Sequence, residues 1–190
     1  MSKKILSDAD EIIKRKLLVE FIRKPLDKFK LFGFILTSND EFTLISEFDR
    51  DLFITDSYCV FRNDSVQKYA VYNNVNYFLN EVIALKKIKP KPAPNVSIEN
   101  WTEVVRSVAE NFPLIVIERE NVDNKACNIG KLKKISKKSF TLSEIDGNAE
   151  WEDSYSYNFA DLTKVRFGGE YENTLALVAE NRDKLNKKKS

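Results

Sequence analysis

The sequence predicts an α+β protein made as a tandem duplication, in which each copy is a helix followed by a strongly bent five-stranded antiparallel sheet. Three observations carry that expectation. Short apolar segments rich in β-formers alternate with turn residues, an amphipathic helix candidate precedes each set of segments, and matching tripeptides recur in one order on either side of a proline-rich stretch.

The helix candidates come first. Asp8 to about Lys16 opens with Asp8 and Glu11 at capping-box spacing, and a second helix starting near Ser97 places Trp101, Val104, Val105 and Val108 on one face. Each is followed by an apolar run that ends in arginine ahead of a glycine: Leu18 to Arg23 before Gly33, and Leu114 to Arg119 before Gly130. Beyond each glycine the hydrophobic period shortens to that of strands. Phe34–Leu36, Phe42–Ile45 and Tyr58–Phe61 in the first copy correspond to Ile129–Ile135, Phe140–Ile145 and Tyr155–Phe159 in the second. The matches are explicit, since Phe42-Thr43-Leu44 recurs as Phe140-Thr141-Leu142 and Asp56-Ser57-Tyr58 as Asp153-Ser154-Tyr155. Asp161–Phe167 supplies a last strand, and Glu172–Glu180 a short helix whose place in the first copy is taken by Tyr77–Leu85.

Between the copies, Lys89-Pro90-Lys91-Pro92-Ala93-Pro94 denies the backbone its amide donors and favours an extended path. The expected division is therefore 1–86 for the first repeat, 87–96 for the linker, 97–181 for the second repeat and 182–190 for a basic, disordered tail containing Lys184, Lys187, Lys188 and Lys189.

Composition narrows the function. With 43% hydrophobic and 12% aromatic residues the chain can bury a core, and 31 basic against 29 acidic side chains leave a net charge of only +2. Histidine is absent, which removes the usual general base and metal ligand near neutral pH and leaves carboxylates, lysines and tyrosines for any chemistry. Cys59 and Cys127 are expected to be buried free thiols. No glycine-rich nucleotide loop or metal-ligand spacing is present, so no cofactor is expected. Without an apolar run long enough for a signal or a membrane span, the chain is expected to be cytoplasmic, with no membrane partner.

Five short strands behind a helix, with Gly130 before the strands and Val165-Arg166-Phe167-Gly168 near the end, are similar to the Sm-like small barrel. That resemblance implies a small closed barrel per repeat and RNA as a partner. The family's RNA-reading positions are not matched, because Thr141 stands where its asparagine would be and Val66-Gln67-Lys68 replaces its Arg-Gly. Ile117-Glu118-Arg119-Glu120, Ile129-Gly130, Trp151 and Phe167-Gly168-Gly169-Glu170-Tyr171 also resemble a two-repeat bacterial family of unknown function, which implies the same two-part layout and no particular activity.

Several features invite a functional reading. Arg23 and Arg119 each end a buried stripe and are expected to form internal ion pairs with acids such as Glu47 and Glu144 or Asp49 and Asp146. Lys131, Lys133, Lys134, Lys137 and Lys138 crowd one hairpin and, with Arg166, make the candidate anion or nucleic-acid site, near the aromatic rings of Trp151, Tyr155 and Tyr157. The acidic stretch Glu144, Asp146, Glu150, Glu152 and Asp153 reads as solvated turns, and Phe167–Tyr171 as a strand-to-helix turn that needs positive φ. Trp101 and Trp151 are expected in the core or between the repeats. The leading expectation is a non-enzymatic binding or adaptor module for a protein partner. The alternative is an RNA-binding protein, and a third option is a hydrolase using Glu144 and Asp146.

Overall fold

The structure, a computed structural model, describes residues 9–188 apart from the side chain of Lys125. The first half contains α1 (Ala9–Arg15), β1 (Leu18–Ile22), β2 (Leu31–Ser38), β3 (Phe42–Asp49), β4 (Ile54–Arg62), β5 (Lys68–Tyr72) and α2 (Phe78–Lys86). The second contains α3 (Trp101–Asn111), β6 (Ile115–Arg119), β7 (Asp123–Ile135), β8 (Ser139–Ile145), β9 (Trp151–Asn158), β10 (Lys164–Phe167) and α4 (Glu170–Lys187).

Among the described residues ten strands form one antiparallel sheet in the order β5-β1-β2-β3-β4-β10-β6-β7-β8-β9. This corrects the expectation of two tandem Sm-like small barrels: the sheet runs without interruption from one half into the other, and its end strands β5 and β9 do not pair. The junction is β4 against β10, with Tyr58, Cys59, Val60 and Phe61 opposite Phe167, Arg166, Val165 and Lys164. The physical reason lies in β4. Its residues Tyr58 to Phe61 are all buried, so neither face of this stretch can be left to water, and its second edge must be hydrogen-bonded as well. β9, at the far end, is exposed along nearly its whole length and carries Glu152, Asp153, Ser154 and Ser156, side chains that an open edge tolerates.

Irregularities bend the sheet. Register shifts interrupt the pairing of β2 with β3 after Ile35, of β3 with β4 after Ser46, of β7 with β8 after Leu132 and of β8 with β9 after Ser143. Gly33 and Gly130 sit opposite Glu47 and Glu144, where neighbouring strands approach too closely for a side chain. A Cβ at Gly130 would stand 2.4 Å from the Ser143 carbonyl oxygen.

Among the described residues, four α-helices pack on the sheet. α3, capped by Asn100 accepting from the Glu103 amide at 3.0 Å, starts later than Ser97 and lays Trp101, Val104, Val105 and Val108 over Val60, Ile115, Ile117, Phe140, Leu142, Val165 and Phe167. This cluster draws on both halves. α1 sets Ala9 and Ile12 on Val19, Phe21, Ile45, Cys59 and Phe61; its proposed cap, Asp8, lies outside the described residues. α1 ends at Lys16 with φ 52°, where the Leu17 amide donates to the Ile12 carbonyl, and α2 ends in the same way at Lys87, with φ 55° and the Ile88 amide on Ile83. α4 buries Leu175, Ala176 and Ala179 against Leu114, Ile145 and Ala149. It runs on to Lys187, so Lys184 and Lys187 are helical, while Lys189 lies outside the described residues.

The proline-rich segment between α2 and α3 has no regular structure but is tied down. Tyr58 Oη donates to the Pro92 carbonyl at 2.7 Å, the Lys91 amide to Ser46 Oγ at 3.0 Å, and Lys91 Nζ to the carbonyls of Asp56 and Gly168. Asp56, from the first half, also accepts the Glu170 amide at 2.9 Å and so caps α4. Gly168, with φ +68°, makes the turn from β10 into that helix, as the sequence indicated.

Gly130→Ala is expected to lower the unfolding free energy by about 1–3 kcal/mol, because the new methyl meets backbone rather than a side chain that could swing away. Urea denaturation reads this directly, and an unchanged midpoint would show that β7 and β8 can separate freely.

Candidate functional site

Where the halves meet, a polar network lies along the sheet. Arg23, just beyond β1, is fully buried, and its Nη1 and Nη2 donate to the Glu120 carboxylate at 3.0 and 2.7 Å. Two further donors go to Ser65 Oγ at 3.1 Å and the Thr163 carbonyl at 3.2 Å. Arg23 thus has an internal ion pair, but its partner is Glu120 in the other half and none of Glu47, Glu144, Asp49 or Asp146. Lys164, on β10, continues the network with Glu118 at 2.9 Å, Asp27 at 3.3 Å and Glu120 at 3.6 Å. Arg166 Nε lies 2.9 Å from Glu118 Oε1.

Burial opposes charge at Glu120 and at Lys164, and their partners override it. Desolvation alone would raise the Glu120 pKa, but the hydrogen bonds and charge of Arg23, with Lys164 behind it, hold the carboxyl below the usual glutamate range. Likewise Lys164 loses hydration, yet Glu118 and Glu120 raise its pKa above that of a free lysine. A cleft of about 640 Å³ opens over this network, lined by residues 26–31, Glu47, Glu118, Glu120, Lys164 and Arg166 among others. Its four carboxylates, Asp27, Glu47, Glu118 and Glu120, face four cations, Lys28, Lys30, Lys164 and Arg166.

The lysine hairpin is elsewhere. Lys131, Lys133 and Lys134 lie on β7 and Lys137 and Lys138 in the turn to β8; all five are exposed, and none forms an ion pair among the described residues. Arg166 does not join them, being separated by β6 and engaged with Glu118.

Glu144 and Asp146 are not brought together. Tyr157 Oη donates to Glu144 Oε1 and Asn128 Nδ2 to Oε2 at 3.2 Å; burial pushes the Glu144 pKa up. Arg119, rather than forming a direct pair, donates to Asn128 Oδ1 at 3.3 Å and lies over the Tyr157 ring at 4.7 Å. Asp146 is a surface turn residue whose Oδ1 accepts the amides of Glu150 and Asn148 at 2.8 and 2.9 Å, bonds that lower its pKa. Glu150, Glu152 and Asp153 are exposed. Among the described residues no three Cys, Asp or Glu side chains converge as metal ligands, and no helix is long and apolar enough to cross a membrane. Cys59 is buried, with its thiol pKa raised by desolvation, whereas Cys127 is exposed on the cleft wall, contrary to expectation. Trp101 meets Phe42 edge-on in the core, but Trp151 is exposed on edge strand β9.

The segment Tyr77–Leu85, expected to match the final helix, forms α2; what sequence reading missed is its second apolar side. Its inner side, Leu79 and Ile83 with Ile88 beyond, packs on Leu18, Phe32, Phe34 and Phe48. Its outer side is apolar too: Phe78, Val82 and Leu85 recur at i, i+4 and i+7, with Phe78 65% and Leu85 83% exposed. No residue of α2 is fully buried. Phe53, held at φ 56° between β3 and β4, meets Phe78 edge-on at 5.9 Å, and its neighbour Leu52 is 63% exposed, so the apolar surface extends beyond the helix. The signal was present in Phe78-Leu79-Asn80-Glu81-Val82-Ile83-Ala84-Leu85, which has too many apolar positions for a helix with one buried side.

Fold and surface together define the class: an α+β protein with a continuous antiparallel sheet, an electrostatically closed junction and an apolar helix face open to its surroundings. No protein-family model, curated protein or solved structure matches the chain.

Removing the junction arginine with Arg23→Ala strands the Glu120 charge and is expected to cost about 3–5 kcal/mol, measured by chemical denaturation at neutral pH. Because the folded pKa of Glu120 lies below its unfolded value, its contribution is present above the normal glutamate range and is lost as pH falls through the lowered pKa. Wild type should therefore lose part of its stability on acidification, and Glu120→Gln should lose less over the same interval.

Proposed function

We propose that this protein is a non-enzymatic binding or adaptor module for a protein partner, which it engages through the outer side of α2 and the adjoining loop between β3 and β4. The observation that carries this reading is the apolar outer stripe of α2. Burying side chains such as Phe78 and Leu85 yields roughly 1.5–3 kcal/mol each, and a contiguous exposed apolar patch on a stable fold is characteristic of an interaction surface. The helix is already fixed by Leu79, Ile83 and the cap at Lys87, so docking on it requires little ordering.

Leu85→Lys tests the proposal with little effect on folding, since Leu85 is almost wholly exposed. In crosslinking followed by affinity recovery, at least one protein captured by wild type should be lost with the variant, while thermal unfolding stays unchanged. Recovery of the same proteins in the same amounts would refute a docking role for α2.

A second reading, contact with RNA, is supported by the lysine hairpin. Lys131, Lys133, Lys134, Lys137 and Lys138 project into solvent without carboxylate partners among the described residues, and Tyr155 on β9 offers a half-exposed ring nearby. Arg166 has no part in it. Binding of a short mixed-sequence RNA, followed by fluorescence anisotropy, should weaken with salt and disappear when Lys131, Lys133 and Lys134 are replaced by glutamate. No binding at low salt would remove this reading.

A further inference from the structure

The arrangement of charges beside the apolar stripe of α2 specifies an occupant. Along Phe78–Lys86 the outward residues fit a heptad seam, with Val82 at position a and Phe78 and Leu85 at the two d positions. In that register Glu81 falls at g and Lys86 at the following e, which flank the seam on opposite sides. In two parallel helices a g residue faces the e residue five positions further along the partner, and here that pair is Glu81 with Lys86, formed twice about the two-fold axis. Both groups are available. Both are exposed and neither has an ion pair among the described residues; Lys86 Nζ lies over the Phe53 ring at 5.5 Å.

We infer that the α2 face docks a second copy of this chain, α2 against α2 in parallel, with Phe78, Val82 and Leu85 forming the dry seam and Glu81 of each copy paired with Lys86 of the other. The inference rests on reading this face as a protein-docking surface. An antiparallel pairing would place Glu81 near Glu81 and Lys86 near Lys86 of the other copy, so the charges choose the parallel arrangement. Phe53 and Leu52 border the seam and widen the apolar contact beyond what a nine-residue helix supplies alone. β9 makes a poorer site for self-association. Where the internal junction strand β4 offers Cys59 and Phe61, β9 presents Ser154 and Ser156 at the corresponding register positions.

Sedimentation velocity of the full chain over a range of concentrations tests the inference. Wild type is expected to shift from monomer to dimer as concentration rises, and Leu85→Lys to remain monomeric. Glu81→Lys and Lys86→Glu should each weaken dimerisation by about tenfold through like-charge contact, and the double exchange E81K/K86E should restore it. A wild-type chain that is monomeric throughout overturns the inference, as does a dimer insensitive to the single charge reversals. If that chain still loses a different captured protein on Leu85→Lys, the docking surface stands and only the identity of its occupant fails.

Discussion

The ion pair between Arg23 and Glu120 sets the terms for the rest of the fold. A fully buried guanidinium is tolerable only when it is paired and hydrogen-bonded, and here all three of its nitrogens donate, to acceptors from a turn of the first half, from Glu120 of the second and from the carbonyl next to β10. Lys164 repeats the logic one residue further on, using Asp27 from the first half with Glu118 and Glu120 from the second. Such groups can be satisfied only if the halves meet in one register. The electrostatics therefore fix how the halves are joined, while apolar burial provides the driving force for joining them.

That division of labour runs through the sheet. β4 and β10 are short of polar surface on their α3 side, where Tyr58, Val60, Val165 and Phe167 share a single cluster with Trp101 and Val104. On the opposite side the same two strands carry Cys59, Phe61, Lys164 and Arg166, so the apolar part belongs to the α1 core and the charged part to the cleft. One joint thus serves three neighbourhoods. It leaves α2, at the outer end of the first half, with an apolar side that no other element among the described residues covers.

Local pattern was legible in the residues and long-range closure was not. Strands announced themselves through Phe42-Thr43-Leu44 and Phe140-Thr141-Leu142, and Gly33 and Gly130 through their common place before them; close strand approach at both glycines explains why. Nothing in local periodicity says whether a five-stranded set closes on itself or passes its last strand to a neighbour. The unrelieved apolar run Tyr58–Phe61 was the available sign, since a strand buried on both faces does not sit at an edge. Glu120 escaped as the partner of Arg23 because the pairing crosses between halves, whereas repeat logic pointed to equivalent acids within each half. The lysine hairpin was found intact, and Arg166 was wrongly grouped with it because strand order, not sequence proximity, sets its neighbours.

The capping of α4 by Asp56 has a consequence for the order of assembly. During synthesis β4 emerges long before β10, so the growing chain must hold a two-sided apolar strand with one edge unpaired until the second half has been made. When β10 arrives it fills that edge, and the turn at Gly168 delivers the start of α4 directly to the Asp56 carboxylate. Completion of the sheet thus brings the carboxylate that caps the final helix to its start, so the last helix to be made is anchored by the half made first.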